Sequence, residues 1–340
     1  MSTSPSRTVT LAEVARHAGV SLSTVSYALS GKRTISATTR RRVERSIAEL
    51  GYRPHAGARA LASRRSNVIA LMVPLREELH LPVMMEVVVA AVTTARRYEH
   101  DVLLLTSDEG AEGVRRVAAT ALVDGLVVMD VALHDERIPT LLEVDRPSVL
   151  IGVPETASGL TCVDLDFFGA GAACVDRLAA LGHTRVALIG PSHEVYRRGT
   201  GFAERALAGF EMRCRQHGIA ARHVECDAAR DDVPALVADL LGRPDAPTGV
   251  VIHNESAIAP LLDALRAAGC RVPEDLSIVA ICPDAMAEQS RPRLTSVHMP
   301  ADELGRRAVE LLMHKLGGDA ATGATLLTPR LTPRDSDAPR

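Results

Sequence analysis

One stretch near the start of the chain, Thr10–Gly31, restricts the fold more than any other; it reads TLAEVARHAGVSLSTVSYALSG. Thr10 and Glu13 have the spacing of a capping box that opens a helix, and Gly19 can adopt the left-handed backbone that ends one. Ser21 is a candidate N-cap for a second helix. Two short helices joined by a tight Gly-Val-Ser corner have the geometry that lets the second helix enter a DNA major groove.

Short helix pairs with a glycine corner also occur in all-α domains that bind nothing, so charge has to decide between the two interpretations. Residues 1–65 contain twelve Lys or Arg and three Asp or Glu, a net charge of +9; the whole chain carries −3, which leaves −12 for residues 66–340. A third helix, predicted from near Ser36 to Gly51, carries four arginines: Arg40, Arg41, Arg42 and Arg45. A basic module on an acidic body is typical of a DNA-binding head.

The chain resembles the LacI/GalR family of bacterial transcriptional regulators. The match is close over VTLAEVARHAGVSLSTVSYALSG, over ISATTRRRVERSIAELGYRPH and over ARAL, and it continues more loosely almost to the C-terminus. The resemblance implies an α/β fold, with an N-terminal three-helix helix-turn-helix head and a periplasmic-binding-protein-like body of two doubly wound α/β subdomains. It also implies a homodimeric repressor that binds double-stranded operator DNA and responds to a small-molecule effector.

The predicted domain boundaries follow changes in the residue pattern. From Asn67, apolar runs such as NVIALMVP alternate with helical patterns, which indicates parallel strands covered on both faces. The strands are too many for one domain, so we expect two similar subdomains with a cleft between them. The predicted units are a disordered arm (1–7), the head (8–53), a hinge helix and linker (54–66), the effector-binding and dimerisation domain (67–334) and a disordered tail (335–340).

The second helix of the head carries the predicted DNA contacts. By resemblance to the family, Leu22, Ser23 and Tyr27 touch base edges; Leu22 suits a thymine methyl group, and a serine can bond to almost any base. The alternative for Tyr27 is packing on the third helix. The hydroxyls of Ser21, Thr24 and Ser26 suit phosphate contacts, which set the register on the duplex without reading sequence. The third helix's arginines supply general attraction or a solvated face.

The hinge, PHAGARALAS from Pro54 to Ser63, is a poor helix on its own because it is short and contains Gly57. The resemblance implies that it becomes ordered when two copies meet on DNA. Leu61 then matches the leucine that wedges between base pairs in the minor groove, and Arg59 would lie beside the backbone. The alternative for Leu61 is ordinary packing between domains.

Four segments of the body correspond to the effector site of the family, and they give the predicted effector-binding residues Val83, Met84, Arg205, Asn254, Cys282 and Asp284. Val83 and Met84 replace aromatic residues that relatives often carry. Arg205 stands at the effector-binding arginine, with a structural salt bridge as the alternative. Cys282 occupies the usual position of an aspartate, so either Asp284 takes that role or the pocket binds a different ligand.

The sequence also argues against other classes of protein. It lacks GxSxG, HExxH and GxxxxGK[ST], and its histidines have no metal-ligand spacing, so we predict no enzyme, cofactor or metal. The six cysteines form no CxxC pair, and no apolar stretch is long enough to span a membrane, which favours the reducing cytoplasm. The competing interpretation is a small-molecule receptor or α/β enzyme whose basic N-terminus is incidental.

Overall fold

A computed structural model describes residues 9–30, 33–52, 65–76, 80–120, 122–157, 159–228, 233–319 and 322–340. The predicted arm (1–7) lies outside the described residues. So does most of the predicted hinge, including Arg59 and Leu61.

The head consists of three helices, α1 (Leu11–Ala18), α2 (Leu22–Ser30) and α3 (Ala37–Leu50). The predicted capping box is present: the Glu13 amide donates to Thr10 Oγ1 at 3.3 Å, and the Thr10 amide donates to Glu13 Oε2 at 2.8 Å. Gly19 ends α1 with a φ of 59°, a conformation that favours glycine. A small buried core made of Val14, Ala15, Ala18, Val25, Val43 and Tyr52 holds the helices together.

The described part of the body contains twelve strands. In chain order they are β1 (Val68–Met72), β2 (Asp101–Leu105), β3 (Gly125–Val128), β4 (Ser148–Ile151), β5 (Thr161–Leu165), β6 (Arg185–Gly190), β7 (Ala220–Glu225), β8 (Gly249–Ile252), β9 (Ser277–Cys282), β10 (Thr295–His298), β11 (Gly323–Leu327) and β12 (Leu331–Thr332). They form two six-stranded sheets, in the orders β11-β5-β4-β3-β1-β2 and β12-β10-β9-β8-β6-β7. The strands are parallel except for β12, which pairs antiparallel with β10.

Helices cover both sheets, as the alternating pattern predicts. They are α4 (Leu81–Arg97), α5 (Gly110–Ala118), α6 (Ile138–Glu143), α7 (Phe167–Ala180), α8 (His193–Arg197), α9 (Gly201–His217), α10 (Val233–Leu241), α11 (Glu255–Ala267), α12 (Asp284–Gln289) and α13 (Ala301–Leu316). Helix α13 returns from the second sheet to pack on α4 and on β3, β4 and β5 of the first. The chain therefore passes between the two subdomains after β5, after β10 and after β11.

The structure differs from the sequence prediction at several elements. Strand β5, which lies between β4 and β11 in the first sheet, was not predicted. Helix α9 begins at Gly201, whereas the sequence predicts a start near Ala206. The short helices α6, α8 and α12 and the edge strands β11 and β12 were also missed, since elements this short carry little periodicity.

The tail (335–340) is ordered, so the prediction of a disordered tail is wrong. Ser336 is fully buried, donates from Oγ to the Ile278 carbonyl at 2.6 Å, and accepts from the Thr295 amide at 2.8 Å. Asp337 forms an ion pair with Arg177, and the Arg340 amide donates to the Leu181 carbonyl at 2.7 Å. A polar composition is typical of a disordered tail. The sequence does not show that these polar groups bond to residues far away in the chain.

Candidate functional site

The exposed face of α2 carries the polar and apolar side chains predicted to contact DNA. Leu22 is 53% exposed, although a leucine is normally buried, and Ser21 and Ser23 are exposed beside it. Ser21 caps the helix by accepting from the Thr24 amide at 3.1 Å. Its Oγ also lies 2.8 Å from both Ser23 Oγ and Thr24 Oγ1, so three hydroxyls form one cluster at the start of the helix.

Tyr27 lies one turn further along α2, half-buried and outside the head's buried core. The Arg33 guanidinium stands over its ring, 5.8 Å from the centroid, a cation–π arrangement. On α3, Arg42 donates to the Gly19 carbonyl at 3.4 Å and so braces the corner between α1 and α2, while Arg41 and Arg45 are exposed. The exposed guanidinium groups are thus available to attract a phosphate backbone.

A second candidate site is a cavity of about 160 Å³ between the two subdomains. It lies where parallel strands end: Val73 follows β1, Met129 follows β3, Pro191 follows β6 and His253 follows β8. The carboxyl ends of parallel strands are the usual ligand position in open α/β sheets, since loops and helix N-termini meet there. Aliphatic and thioether side chains supply most of the first subdomain's wall, among them Val83, Met84, Val87, Met129, Met299 and Leu304.

The wall from the second subdomain is partly aromatic. Phe167, Phe202 and His253 form a cluster in which the three ring centroids lie 5.4–5.7 Å from one another. All three residues line the cavity. The whole chain has four phenylalanines, so half of them gather at this site. The three ring planes are tilted by 32–80° to one another, so the cluster presents ring faces and edges to an apolar part of a ligand.

Buried ionisable groups also line the cavity. Burial raises the pKa of Asp164 to about 7, although the Leu165 amide and the Arg205 guanidinium favour its ionised form. Burial likewise raises the pKa of Glu255 to about 7 and lowers that of His253 to about 4. The common cause is the loss of hydration, which disfavours the charged form of each group. At neutral pH the cavity therefore contains a neutral imidazole and two carboxyl groups close to half protonation.

Two imidazole nitrogens at the cavity are buried without a hydrogen-bond partner among the described residues: Nδ1 of His80 and Nδ1 of His253. A buried polar atom left unpaired costs about 1–3 kcal/mol, so a ligand that bonds to it recovers that free energy. The cavity thus combines an aromatic face, an aliphatic face and unsatisfied polar atoms. Its geometry suits a small polar molecule with an apolar face.

Comparison with known proteins assigns the chain to a family. Residues 10–55 match the model of bacterial regulatory proteins of the lacI family, and residues 175–336 match a periplasmic binding protein-like domain. The HTH-type transcriptional regulator CelR of Thermobifida fusca is 32% identical, over 94% of this chain and 96% of that protein. The chain belongs to the LacI family.

Further LacI-family relatives and structures agree. Catabolite control protein A of Priestia megaterium is 26% identical over 94% of this chain and 96% of its own length. The structure of the lac repressor dimer bound to operator and the anti-inducer ONPF superposes with a TM-score of 0.82 at 25% identity, over 98% of this chain and all of that one. A CelR–cellobiose complex gives 0.69 at 27% identity, over 96% and 99%. The predicted family, fold and regulatory function are confirmed: this is a DNA-binding transcriptional regulator, not an enzyme.

Three of the predicted effector residues of this LacI-family chain line the cavity: Val83, Met84 and Asn254. Asn254 is held by its amide nitrogen, which donates to the Cys226 carbonyl at 2.7 Å and the Gly190 carbonyl at 3.3 Å. Its side-chain oxygen is therefore the group left to meet a ligand.

The other three predicted effector residues do not line it. Cys282 is fully buried in the hydrophobic core of the second subdomain. Asp284 accepts from Arg334 at 2.8 Å and from Arg330 at 3.2 Å, which ties it to the chain's C-terminal segment. Arg205 lies behind the wall, where it donates to the Pro154 carbonyl at 3.4 Å and influences Asp164. Its Nη1 is buried without a hydrogen-bond partner among the described residues, and no carboxylate there lies within salt-bridge distance of Arg205. Effector contact and the structural salt bridge therefore both stay predictions.

Sequence reasoning missed Asp164, Phe167, Phe202 and His253, although all four line the cavity of this LacI-family chain. A usable signal was present in VDLDFF, where two phenylalanines follow an apolar run in a chain with very few aromatic residues. The described residues include no helix that is long and apolar enough to cross a membrane, and they contain no cluster of three side chains suited to a metal ion.

Proposed function

We propose that this regulator is a homodimeric, sequence-specific repressor whose affinity for operator DNA changes when a small polar molecule binds in the cavity. The observation that carries the proposal is the combination, in one chain, of a basic helix-turn-helix head and a cavity enclosed by two α/β subdomains. Its proposed place of action is the cytoplasm, where DNA is accessible and cysteine thiols stay reduced.

For the DNA contacts, we assign base recognition to Leu22, Ser23 and Tyr27. Their position on the exposed face of α2 supports the assignment. Ser21 and Thr24 are assigned to phosphates, since their hydroxyls meet at the start of the same helix. Ser26, in the middle of α2, is assigned to a phosphate on the sequence alone. The minor-groove wedge at Leu61 and the backbone contact at Arg59 rest on the sequence and stay predictions.

For the dimer, we propose that a stripe of exposed apolar side chains on α4 packs against its copy in the partner subunit. The stripe consists of Leu81, Met85, Val89 and Val92, which are 40–57% exposed and spaced to lie on one helix face. Leu104 on the edge strand β2 extends it, because it lies on the same sheet face as Val102, which packs in the core with α4. A contiguous exposed apolar patch marks a protein–protein interface, and the similar lac repressor structure is a dimer.

For the effector, we propose a neutral polyhydroxylated ring rather than an anion. A cavity of about 160 Å³ matches the size of the roughly 150 Å³ engineered cavity that holds one benzene ring. In the cavity lining, the carboxyl groups of buried Asp164 and half-buried Glu255 outnumber the guanidinium of Arg198, which disfavours an anion. These carboxyl groups accept hydrogen bonds from hydroxyls, while Phe167 and Phe202 cover an apolar ring face. The relative CelR forms a complex with cellobiose, which supports a carbohydrate here.

Regulation then follows from unequal binding. The effector must favour either the operator-binding or the released conformation of the dimer, because a ligand with equal affinity for both shifts nothing. Cleft closure around the ligand would reorient the first subdomains of the two subunits, and with them the hinges and heads.

The first test is a gel shift of the full-length protein on the duplex upstream of its own gene, with random duplex as competitor. We expect a retarded band that survives excess random DNA and that changes when a panel of mono- and disaccharides is added. Absence of retention on that duplex, and on a random-sequence duplex library after selection, would contradict the repressor proposal. Retention that no sugar alters would remove the carbohydrate assignment and leave the DNA-binding function standing.

A further inference from the structure

The segment that leaves the hinge and enters the body is fixed by a single carboxylate. Asp124 immediately precedes β3, and its side chain is 9% exposed. Asp124 Oδ1 accepts from the Ser66 amide at 2.7 Å and from Ser66 Oγ at 3.0 Å, and Oδ2 accepts from the Asn67 amide at 2.8 Å. The Asp124 amide returns a hydrogen bond to the Val68 carbonyl at 2.7 Å. We call this group of contacts the entry clamp.

Two neighbours complete the surroundings of the entry clamp. His100 Nε2 lies 3.6 Å from Asp124 Oδ2, while its Nδ1 contacts the Tyr98 carbonyl at 2.7 Å. Arg65, one residue before the clamped pair, donates to the Leu316 carbonyl at the end of α13 at 3.1 Å. The chain is thus held at three consecutive residues, 65–67, where the linker enters the body. Residues 53–64, which precede them, lie outside the described residues.

Three elements lead from the entry clamp to the effector cavity. Strand β1 begins after Asn67 and is followed by Val73, and β3 begins after Asp124 and is followed by Met129. Both end residues line the cavity. Helix α13 contributes Leu304 to the cavity and its last carbonyl, on Leu316, to Arg65, a separation of twelve residues or roughly 18 Å along the helix.

The strands β1 and β3 are hydrogen-bonded neighbours, paired from Ile69 with Gly125 to Met72 with Val128. Their core side chains are fully or almost fully buried, and a close-packed interior of this kind compresses little and transmits strain. A displacement of their cavity ends is therefore carried to the clamp rather than absorbed by bending. An effector that shifts Val73 and Met129 also shifts Ser66 and Asn67, where the linker enters the body.

We propose that Asp124 is a positioning residue that couples the effector cavity to the hinge, so that its carboxylate sets the placement of the two heads on operator DNA. The inference rests on the proposed repressor function and adds to it the connection between its two sites. Asp124 touches neither DNA nor effector. It acts by fixing Ser66 and Asn67 relative to β3.

The test compares Asp124→Asn with a matched control on the same sheet edge. Asparagine keeps the size of the side chain, but it loses the negative charge and replaces one acceptor oxygen by an amide donor, which faces amide donors here. The control is Asp101→Asn, at the start of the adjacent strand β2, where the carboxylate pairs with exposed Arg96 at 2.6 Å. Affinity is measured on an operator selected from a random-sequence library and on random duplex.

We expect Asp124→Asn to weaken operator binding by about 5- to 150-fold, the usual range of a coupling between sites, and to leave binding to random duplex unchanged. Amide hydrogen exchange at Ser66 and Asn67 should accelerate. Ser66→Ala removes only the hydroxyl contact, so it should shift both measurements in the same direction by less. Asp101→Asn should match the wild type. A purely structural role of Asp124 would lower the thermal midpoint without changing the ratio of operator to random-duplex affinity.

Several results would overturn the coupling role. One is faster exchange at Ser66 and Asn67 in both clamp variants with operator affinity within twofold of the wild type. Another is an equal loss on operator and random duplex, which points to general damage to the head. If Asp124→Asn does not fold, Ser66→Ala decides alone on the same criteria. Failure of the wild type to select any operator counts against the proposed repressor function, and it is read before the variants are compared.

Discussion

The head and the effector cavity solve recognition in opposite ways. The head keeps the side chains that we assign to DNA contacts outside its core: Leu22 and Ser23 are exposed on a short helix, and a separate set of residues holds the fold together. In the cavity, the side chains that face the ligand space are also part of the packing, as with Asp164 and Phe167, which are 5% and 4% exposed.

This difference separates stability from binding in one region and joins them in the other. Under the proposed assignment, a substitution on the exposed face of α2 removes contacts to DNA and leaves the buried core of the head unchanged. A substitution in the cavity changes hydration, packing and ionisation at the same time, so ligand affinity and the free energy of unfolding change together. We expect head variants to be specific in their effects and cavity variants to be mixed.

The largest expected effect comes from a substitution outside the head that reduces DNA binding by breaking the proposed dimer. Val89→Glu puts a charge in the centre of the α4 stripe and should dissociate the dimer. Because two linked heads gain avidity, operator affinity should fall by roughly 10²- to 10⁴-fold. Leu142→Glu, at an exposed leucine 51% accessible on α6, is the matched control. Sedimentation and gel shift report the two effects; an unchanged dimer would remove α4 from the interface.

The second expected effect concerns the cavity. Asp164 has its pKa raised from 3.8 to about 7 in the folded chain. Between pH 4 and pH 7 the unfolded chain gains free energy by ionising this group and the folded chain does not, so stability falls as pH rises through that window and stays lower above it. Asp164→Asn removes this loss, and it should stabilise the protein at pH 8 by up to about 4 kcal/mol.

Urea unfolding at pH 4, 6 and 8 measures this effect for Asp164→Asn. Its advantage over the wild type should grow from pH 4 to pH 8, whereas the exposed control Asp145→Asn should show no such trend. A constant difference at all three values would mean that Asp164 is already ionised in the folded chain at pH 4. Operator affinity without effector should be unchanged in this variant.

In the head, Tyr27→Ala should reduce discrimination between operator and random duplex by about 1–3 kcal/mol, the value of one good base contact. The thermal midpoint should stay close to that of the wild type, since Tyr27 lies outside the buried core. Tyr98→Ala, at an exposed tyrosine of the body, serves as the control. An equal loss of affinity for both duplexes would mean that Tyr27 contacts the DNA backbone and does not read the base sequence.

The smallest expected effect is that of a single exposed arginine. Arg41→Ala should weaken binding equally on operator and random duplex and reduce the salt slope of binding by about 1, as expected for one phosphate contact. Measuring affinity at several salt concentrations gives the slope, with Arg215→Ala on the body as the control. A changed preference between the two duplexes would show that Arg41 reads bases.

The head was predictable because its determinants are local. The capping pair of Thr10 and Glu13, the glycine at position 19 and the spacing of Val14 and Val25 all act within one or two helical turns. The apolar runs of β1 and β3 were equally clear, since strands buried on both faces leave a continuous signal. These features also placed the cleft between two subdomains.

The cavity was predictable only in part, because its residues come from separate segments. Strand β5 was missed because its sequence, Thr161–Leu165, contains polar Thr161 and Asp164. Asp164 and Phe167 were therefore not recognised as cavity residues. Asp284 is engaged by arginines 46 and 50 residues later, a contact that no local pattern reveals. Cys282 was placed at the site by its position at a strand end, but its side chain packs into the core instead.

The contacts of the ordered tail, residues 335–340, predict how a protein shortened at this end would behave. Removal of residues 335–340 would leave every helix and strand of both candidate sites intact. It would nevertheless leave the buried amides of Ile278 and Thr295 without their acceptors on Ser336, at about 1–3 kcal/mol each. The shortened protein would keep its DNA-binding head but would be less stable. Faster proteolysis, rather than weaker affinity for DNA, would then lower its activity in the cell.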